Sequence, residues 1–138
     1  MAADYTILSN PGLVVLRHWG TLTTEDSFNA LMAYQADARA HPALHYLIDM
    51  TQVADVRVRY LDVLRHVDSL ETRYPRRDRE ARSAYIAPGD NTFGVARMFQ
   101  ALAEDVIGDR IGIFRTRPAA LGFLGLDAGT PLPLDASS

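Results

Sequence analysis

Short apolar runs alternate along this chain with longer segments in which apolar residues recur every three or four positions. Each run is the length of a β-strand and is followed by one helix-period segment; the runs are residues 13–19, 44–49, 83–87 and 111–114. Because strands that alternate with helices form parallel sheets with right-handed crossovers, the pattern predicts an α/β domain. An additional strand at 5–8 precedes a turn at 10–12 and is expected to pair antiparallel with the next strand.

Capping signals set the expected helix boundaries. The predicted helices are residues 24–40, 60–74, a third from a cap at Asp90 or Asn91 to Gly108, and 119–124. We also predict that Gly20 ends the second strand, that residues 50–59 form a loop, and that the charged segment 75–82 is a solvated linker. The resulting order is β-β-α-β-α-β-α-β-α in one domain over 1–126, followed by a flexible tail at 127–138.

Composition narrows the classes of protein that this chain can belong to. It has 138 residues, enough for one domain, and no cysteine, which excludes disulfides and thiolate metal sites. The net charge of −3 argues against a nucleic-acid-binding protein. The first residues do not resemble a secretory signal, and no apolar run approaches the roughly 20 residues needed to span a bilayer. We therefore expect a cytoplasmic protein with no transmembrane segment.

Three stretches carry a resemblance to a known family. They are Gly-Thr-Leu-Thr at 20–23, Leu-Ile-Asp-Met-Thr at 47–51, and Ile113-Phe114 followed by Pro-Ala-Ala-Leu-Gly-Phe-Leu-Gly at 118–125. In this order and spacing, the chain resembles the SpoIIAA-like branch of the STAS domain family over about residues 5–126. The resemblance implies a mixed, mostly parallel sheet of four or five strands, with helices packed mainly on one face.

The resemblance also implies two kinds of function. Well-understood family members are anti-sigma-factor antagonists, in which a kinase-like partner reads a phosphorylatable Ser or Thr after the third strand. Asp55 matches the start of the usual Asp-Ser-Ser/Thr-Gly step, but Val56 and Arg57 stand where hydroxyl residues are expected. Thr51 is the hydroxyl residue left in this region and is the candidate phosphosite. Other members of the branch are similar to lipid carriers of the Sec14 type, which leaves a small-ligand role open.

A candidate binding surface follows from the topology, because ligands of open α/β sheets sit beyond the carboxyl ends of the strands. The residues expected there are Thr21, Thr23, Asp49, Thr51, Asp55, Arg57, Asp90, Asn91, Thr92, Arg115 and Arg117. Helix N-termini together with Arg57, Arg115 and Arg117 would favour an anion. The alternative is that these residues are ordinary helix caps, turn residues and surface arginines.

Catalytic and metal-binding patterns are not evident. The four histidines, at 18, 41, 45 and 66, lack a metal-ligand spacing, Asp49 and Asp55 lack a third ligand, and the serines lack a nucleophile elbow. We expect no catalytic residues, no metal and no cofactor.

The leading hypothesis is a binding or regulatory module that acts through a protein partner. The alternative is a carrier or sensor of a small anionic or amphipathic ligand, lipid-like or nucleotide-like. A third hypothesis is an enzyme that uses Asp49 or Asp55 as a base. A second copy of the chain, in a homodimer, is a further possible partner.

Overall fold

A computed structural model describes residues 2–73 and 76–132 of the chain. Its strands form one sheet in the order β1-β2-β3-β4-β5, in which β1 is antiparallel to β2 and all other neighbours are parallel. The strands are β1 Ala3–Leu8, β2 Leu13–Leu22, β3 His45–Val56, β4 Arg82–Ile86 and β5 Arg110–Phe114. The helices are α1 Thr24–Gln35, α2 Tyr60–Arg73, α3 Asp90–Ile107 and α4 Arg117–Phe123. The predicted α/β class and element order are confirmed.

Alternation along the strands divides the core between the two faces of the sheet. In β2, Val14 and Leu16 point to the face covered by α1, α2 and α3, which we call the three-helix face. Leu13 and Val15 point to the opposite face, which is covered by α4 and which we call the α4 face. Helices therefore lie mainly on one face, as predicted, with one short helix on the other.

The α4 face is a closely packed apolar layer. Pro118 lies in the first turn of α4, and the Thr116 hydroxyl accepts a hydrogen bond of 3.4 Å from the Ala119 amide. Leu121 of this helix is completely buried against the strands. Leu132 joins the same cluster, whereas residues 127–129 of the predicted flexible tail at 127–138 are exposed; positions 133–138 lie outside the described residues.

The third strand is longer than predicted, so the expected loop at 50–59 is wrong for residues 50–56 and holds only for 57–59. β3 continues to Val56 because β2 also continues, pairing Trp19 with Gln52 and Leu22 with Val56. Gly20, which we expected to end β2, lies inside it with φ of 64°, at an irregularity in the register. A side chain at that φ would be strained, so glycine allows the strand to pass through.

Two further segments, the end of α1 and the residues before β4, differ from the prediction. α1 ends at Gln35 rather than at residue 40, because the Asp37 carboxylate accepts hydrogen bonds from the amide and guanidinium of Arg39 and forms a turn. The segment 75–82 is not simply a solvated linker. Arg77 is buried, makes an ion pair of 2.9 Å with Asp109, and lies 3.7 Å from the ring centroid of Tyr46.

Candidate ligand-binding site

The structure brings five of the predicted site residues together in one groove. This groove, of about 530 Å³, lies between the second half of β3 and the start of α3. The predicted residues that line it are Thr51, Asp55, Asp90, Asn91 and Thr92. These five residues therefore share one groove, and the strand that forms its wall was expected to be a loop; their role in binding stays a prediction.

The three arginines proposed as anion ligands have partners within the chain. Arg57 pairs with Asp55 at 3.1 Å, and Arg115 donates to Asp90 at 2.9 Å while lying over the ring of Phe93. Arg117 donates to the main-chain oxygen of Thr130. Because two of these cations already face carboxylates, the groove offers an incoming anion less positive charge than the sequence suggested.

The remaining predicted residues have local roles. Thr21 is exposed on β2, and Thr23 caps α1 by accepting a hydrogen bond of 3.2 Å from the Asp26 amide. Asp49 is buried, and its Oδ1 accepts hydrogen bonds from both the amide and the hydroxyl of Thr51. Thr51 is an exposed strand residue well before the start of α2 at Tyr60. Its phosphorylation stays a prediction.

A second concavity, which the sequence argument missed, lies inside the domain. A half-enclosed cavity of about 90 Å³ separates the three-helix face of the sheet from α1, α2 and α3, and we call it the central cavity. Its walls are largely apolar; they include Leu16, Tyr46 and Ile48 from the sheet and Leu31, Val63 and Phe99 from the helices. Space of this kind inside a close-packed domain is uncommon, since native cores leave few voids larger than a water molecule.

One end of the central cavity is polar. His18 of β2 is 4% exposed, and its Nε2 shares a hydrogen bond of 2.8 Å with the hydroxyl of Ser27 on α1. Its Nδ1 is buried and has no hydrogen-bond partner among the residues that the structure describes. His66 of α2 lies at the same end, between the rings of Phe28 and Phe99. A polar atom buried without a partner is rare enough in native proteins to require an explanation.

Both imidazoles are uncharged at neutral pH. Burial lowers the pKa of His18 to about 4, against smaller opposing effects from the carboxylates of Asp49, Asp26 and Asp4 and from the main chain of Leu16. Burial, together with the nearby His18, lowers the pKa of His66 to about 4 as well. The polar end therefore supplies hydrogen-bonding atoms but no positive charge for an anionic ligand.

The polar end also lies next to the protein surface. A groove of about 220 Å³ runs between α1 and α2, and we call it the α1–α2 groove. Thr24 and His66 line both this groove and the central cavity. A ligand that enters through the groove would therefore pass His66 before it reaches His18.

The opposite end of the cavity is closed by a cluster of polar side chains that Arg77 links by hydrogen bonds. Ser83 and Asp109 line the cavity there, and Arg77 donates to both, at 2.7 Å to the hydroxyl and 2.9 Å to the carboxylate. The same guanidinium also donates to the main-chain oxygens of Leu44 and Arg82. These contacts tie the segment before β4 to the sheet, so we assign this end a structural role.

The sequence does contain a signal for His18. Val14, Leu16 and His18 occupy alternate positions of one strand and must share a face, so a histidine follows two buried aliphatic residues. The role of His18 in the polar end of the cavity depends on Ser27 and His66, which come from two different helices. The sequence argument weighed the histidines only as metal ligands and so passed over this arrangement.

The described residues contain neither a metal-binding cluster nor a helix suited to cross a membrane. Within residues 2–73 and 76–132, no group of three or more His, Asp or Glu side chains is placed to hold a metal ion. In the same part of the chain, none of the helices combines the length and the apolar character that crossing a membrane requires.

Comparisons with known proteins define the fold. No protein-family model matches the sequence, and no curated protein matches it. Among solved structures, the chain is similar to a protein of the DUF3478 family from Shewanella loihica PV-4, described as uncharacterised and having a SpoIIAA-like fold. The two share 18% sequence identity and a TM-score of 0.55 over 89% of this chain and 92% of that one. The chain therefore has a SpoIIAA-like fold, as the resemblance predicted.

Proposed function

We propose that this chain is a non-catalytic binding module whose ligand is small, uncharged and largely apolar and occupies the central cavity. The observation that carries the proposal is the buried Nδ1 of His18, a residue that lines this cavity; the described residues supply this atom with no hydrogen bond. This is the amphipathic form of the carrier or sensor hypothesis. A nucleotide is a poorer match, because the cavity is small and its histidines are neutral.

Energetic arguments support an occupied cavity. An empty cavity of about 90 Å³ costs a protein about 2 kcal/mol when the surrounding side chains do not relax. A buried polar atom without a hydrogen bond costs a further ~1–3 kcal/mol. A ligand with an apolar body and one polar group would recover part of both costs, and this recovered free energy would contribute to its affinity.

The proposal is tested by filling the cavity. Ala96 of α3 lines the cavity and is buried, so the larger side chain of Ala96→Leu should occupy the space. Xenon enters apolar cavities without needing a polar partner, and its entry can be followed through amide chemical shifts under xenon pressure. We expect shifts at Leu16, Val63 and Phe99 in the wild-type protein and their loss in Ala96→Leu.

The matched control is Ala103→Leu. Ala103 lies on the same helix and is fully buried, but it is not among the residues that line the cavity. This variant should keep the xenon shifts. If the wild-type protein takes up no xenon, or if Ala96→Leu takes it up as well as the wild type does, the proposed function is wrong.

A second candidate function is favoured by a separate observation. Three large apolar residues at the start of α2, Tyr60, Leu61 and Leu64, are exposed. Arg59 and Arg65 are exposed beside them, and an apolar centre with arginines around it is typical of protein interfaces. We propose that a regulatory protein partner binds this surface. Leu61→Glu should abolish capture of that partner from the host lysate, while Val106→Glu, at an exposed apolar position on α3, should not.

A further inference from the structure

We propose that the ligand of the central cavity carries a neutral hydroxyl group, which exchanges a hydrogen bond with His18 Nδ1, on a short apolar chain. The inference rests on the proposed function, since it names the chemical class that the same cavity selects. The probe for this class is a linear primary alcohol.

The hydroxyl follows from the hydrogen bonding of His18. A neutral imidazole has one nitrogen that donates and one that accepts, and the partner of one nitrogen decides the role of the other. The partner of Nε2 is the Ser27 hydroxyl, which can itself either donate or accept, so Nδ1 can take either role. A ligand hydroxyl can also donate or accept, and it therefore pairs with Nδ1 in both tautomers. A carbonyl or an ether oxygen pairs with only one of them.

Charge around the site disfavours ionised head groups. The nearest charges felt by the His18 ring are the carboxylates of Asp49, Asp26 and Asp4. A buried ligand carboxylate would be repelled by these groups and would face two uncharged imidazoles. A ligand ammonium would lose its hydration at a site whose described side chains place no carboxylate in contact with Nδ1.

The size of the cavity sets the length of the apolar part. Since an engineered cavity of about 150 Å³ holds benzene, a cavity of about 90 Å³ has room for a chain of about four carbons. Thr24 and His66 line both the cavity and the α1–α2 groove, so the polar end lies next to the surface and the apolar chain would extend away from it. Butan-1-ol and pentan-1-ol are therefore the smallest probes that fill the site.

The test compares pentan-1-ol, pentanoate and pentylammonium at pH 7.5, with binding followed by amide chemical shifts. We expect the alcohol to bind at least tenfold more tightly than either ion. The imidazole ¹⁵N resonance of His18 Nδ1 should shift with the alcohol and saturate with the same dissociation constant. This second readout uses the wild-type protein and does not depend on any variant folding.

Two variants complete the test. His18→Leu should bind pentan-1-ol at least threefold more weakly than the wild-type protein does, because the hydroxyl loses its partner, and should still take up xenon. His41→Leu, at an exposed histidine in the loop before β3, should retain the tenfold preference. Equal binding of the alcohol and an ion, an unmoved Nδ1 resonance, or alcohol binding by His18→Leu that is as tight as in the wild-type protein overturns the inference. If xenon still enters in these cases, the proposed function stands; if xenon does not enter, both are wrong.

Discussion

Arg77 and His18 both have buried polar side chains; His18 lines the central cavity, and Arg77 bonds to Ser83 and Asp109, which line its other end. Arg77 donates four hydrogen bonds to Ser83, Asp109 and two main-chain oxygens, and it stacks on a ring. His18 makes one side-chain hydrogen bond, to Ser27, and its other ring nitrogen has no partner among the described residues. Each side chain has one buried nitrogen atom for which the described residues supply no hydrogen bond, Nε of Arg77 and Nδ1 of His18. The chain holds the Arg77 guanidinium through four other hydrogen bonds but holds the His18 ring through one, so we assign Arg77 a structural role and regard His18 as the residue more open to a ligand.

The largest effect is expected at Arg77. Arg77→Leu leaves the Asp109 carboxylate buried without its cation, and breaking a buried ion pair in this way costs about 3–5 kcal/mol. Urea unfolding should show this loss in the free energy of unfolding. Arg76→Leu, at an exposed neighbour, should change it by less than about 0.5 kcal/mol. A small effect at Arg77 would mean that the two ends of the cavity do not differ as described.

Acid should destabilise the fold through the histidine end. The pKa values of His18 and His66 are lowered from 6.5 to about 4, so the unfolded chain binds protons more readily than the folded one. Stability is therefore complete above pH 6.5 and falls as the pH drops towards 4, by at most about 3 kcal/mol for each histidine. Urea unfolding between pH 7.5 and 4.5 measures this dependence.

His18→Leu should remove its share of the acid effect. The matched variant His41→Leu should leave the pH dependence unchanged, since His41 is exposed. If His18→Leu retained the whole dependence, the burial of a neutral imidazole at position 18 would not be its source.

The smallest effect on stability at neutral pH is expected at His18 itself. His18→Leu removes a buried nitrogen without a partner and leaves only the Ser27 hydroxyl, at a half-buried position, without its bond. We expect the free energy of unfolding at pH 7.5 to change by less than about 1 kcal/mol, in either direction. A loss as large as that at Arg77 would assign His18 a structural role.

The sequence predicted the parts of this fold that depend on local pattern. The strand and helix order followed from the period of the apolar residues, and capping signals placed the start of α1 at residue 24, where the structure has it. The extension of β3 to Val56 was missed because it depends on β2 continuing beyond Gly20, which is a contact between distant segments. The groove at the start of α3 was located in part, since strand ends and helix starts converge in any parallel sheet.

The central cavity could not be predicted in the same way. Its volume depends on how closely three helices approach one face of the sheet, and the sequence pattern specifies only which faces are apolar. Arg77 was likewise placed in a charged, solvated segment, because its burial requires Asp109 and Tyr46 from distant parts of the chain. Only the inward position of His18 could be inferred from the local sequence, through the alternation of residues along β2.

The most direct test of the central claim is native mass spectrometry of the wild-type protein and the Ala96→Leu variant, each recovered from its own host. The account predicts additional mass of a small, neutral compound on the wild-type chain, which is lost on denaturation and absent from Ala96→Leu. A wild-type chain that carries no additional mass, or a compound that Ala96→Leu retains equally, would contradict the claim that the central cavity is a ligand-binding site.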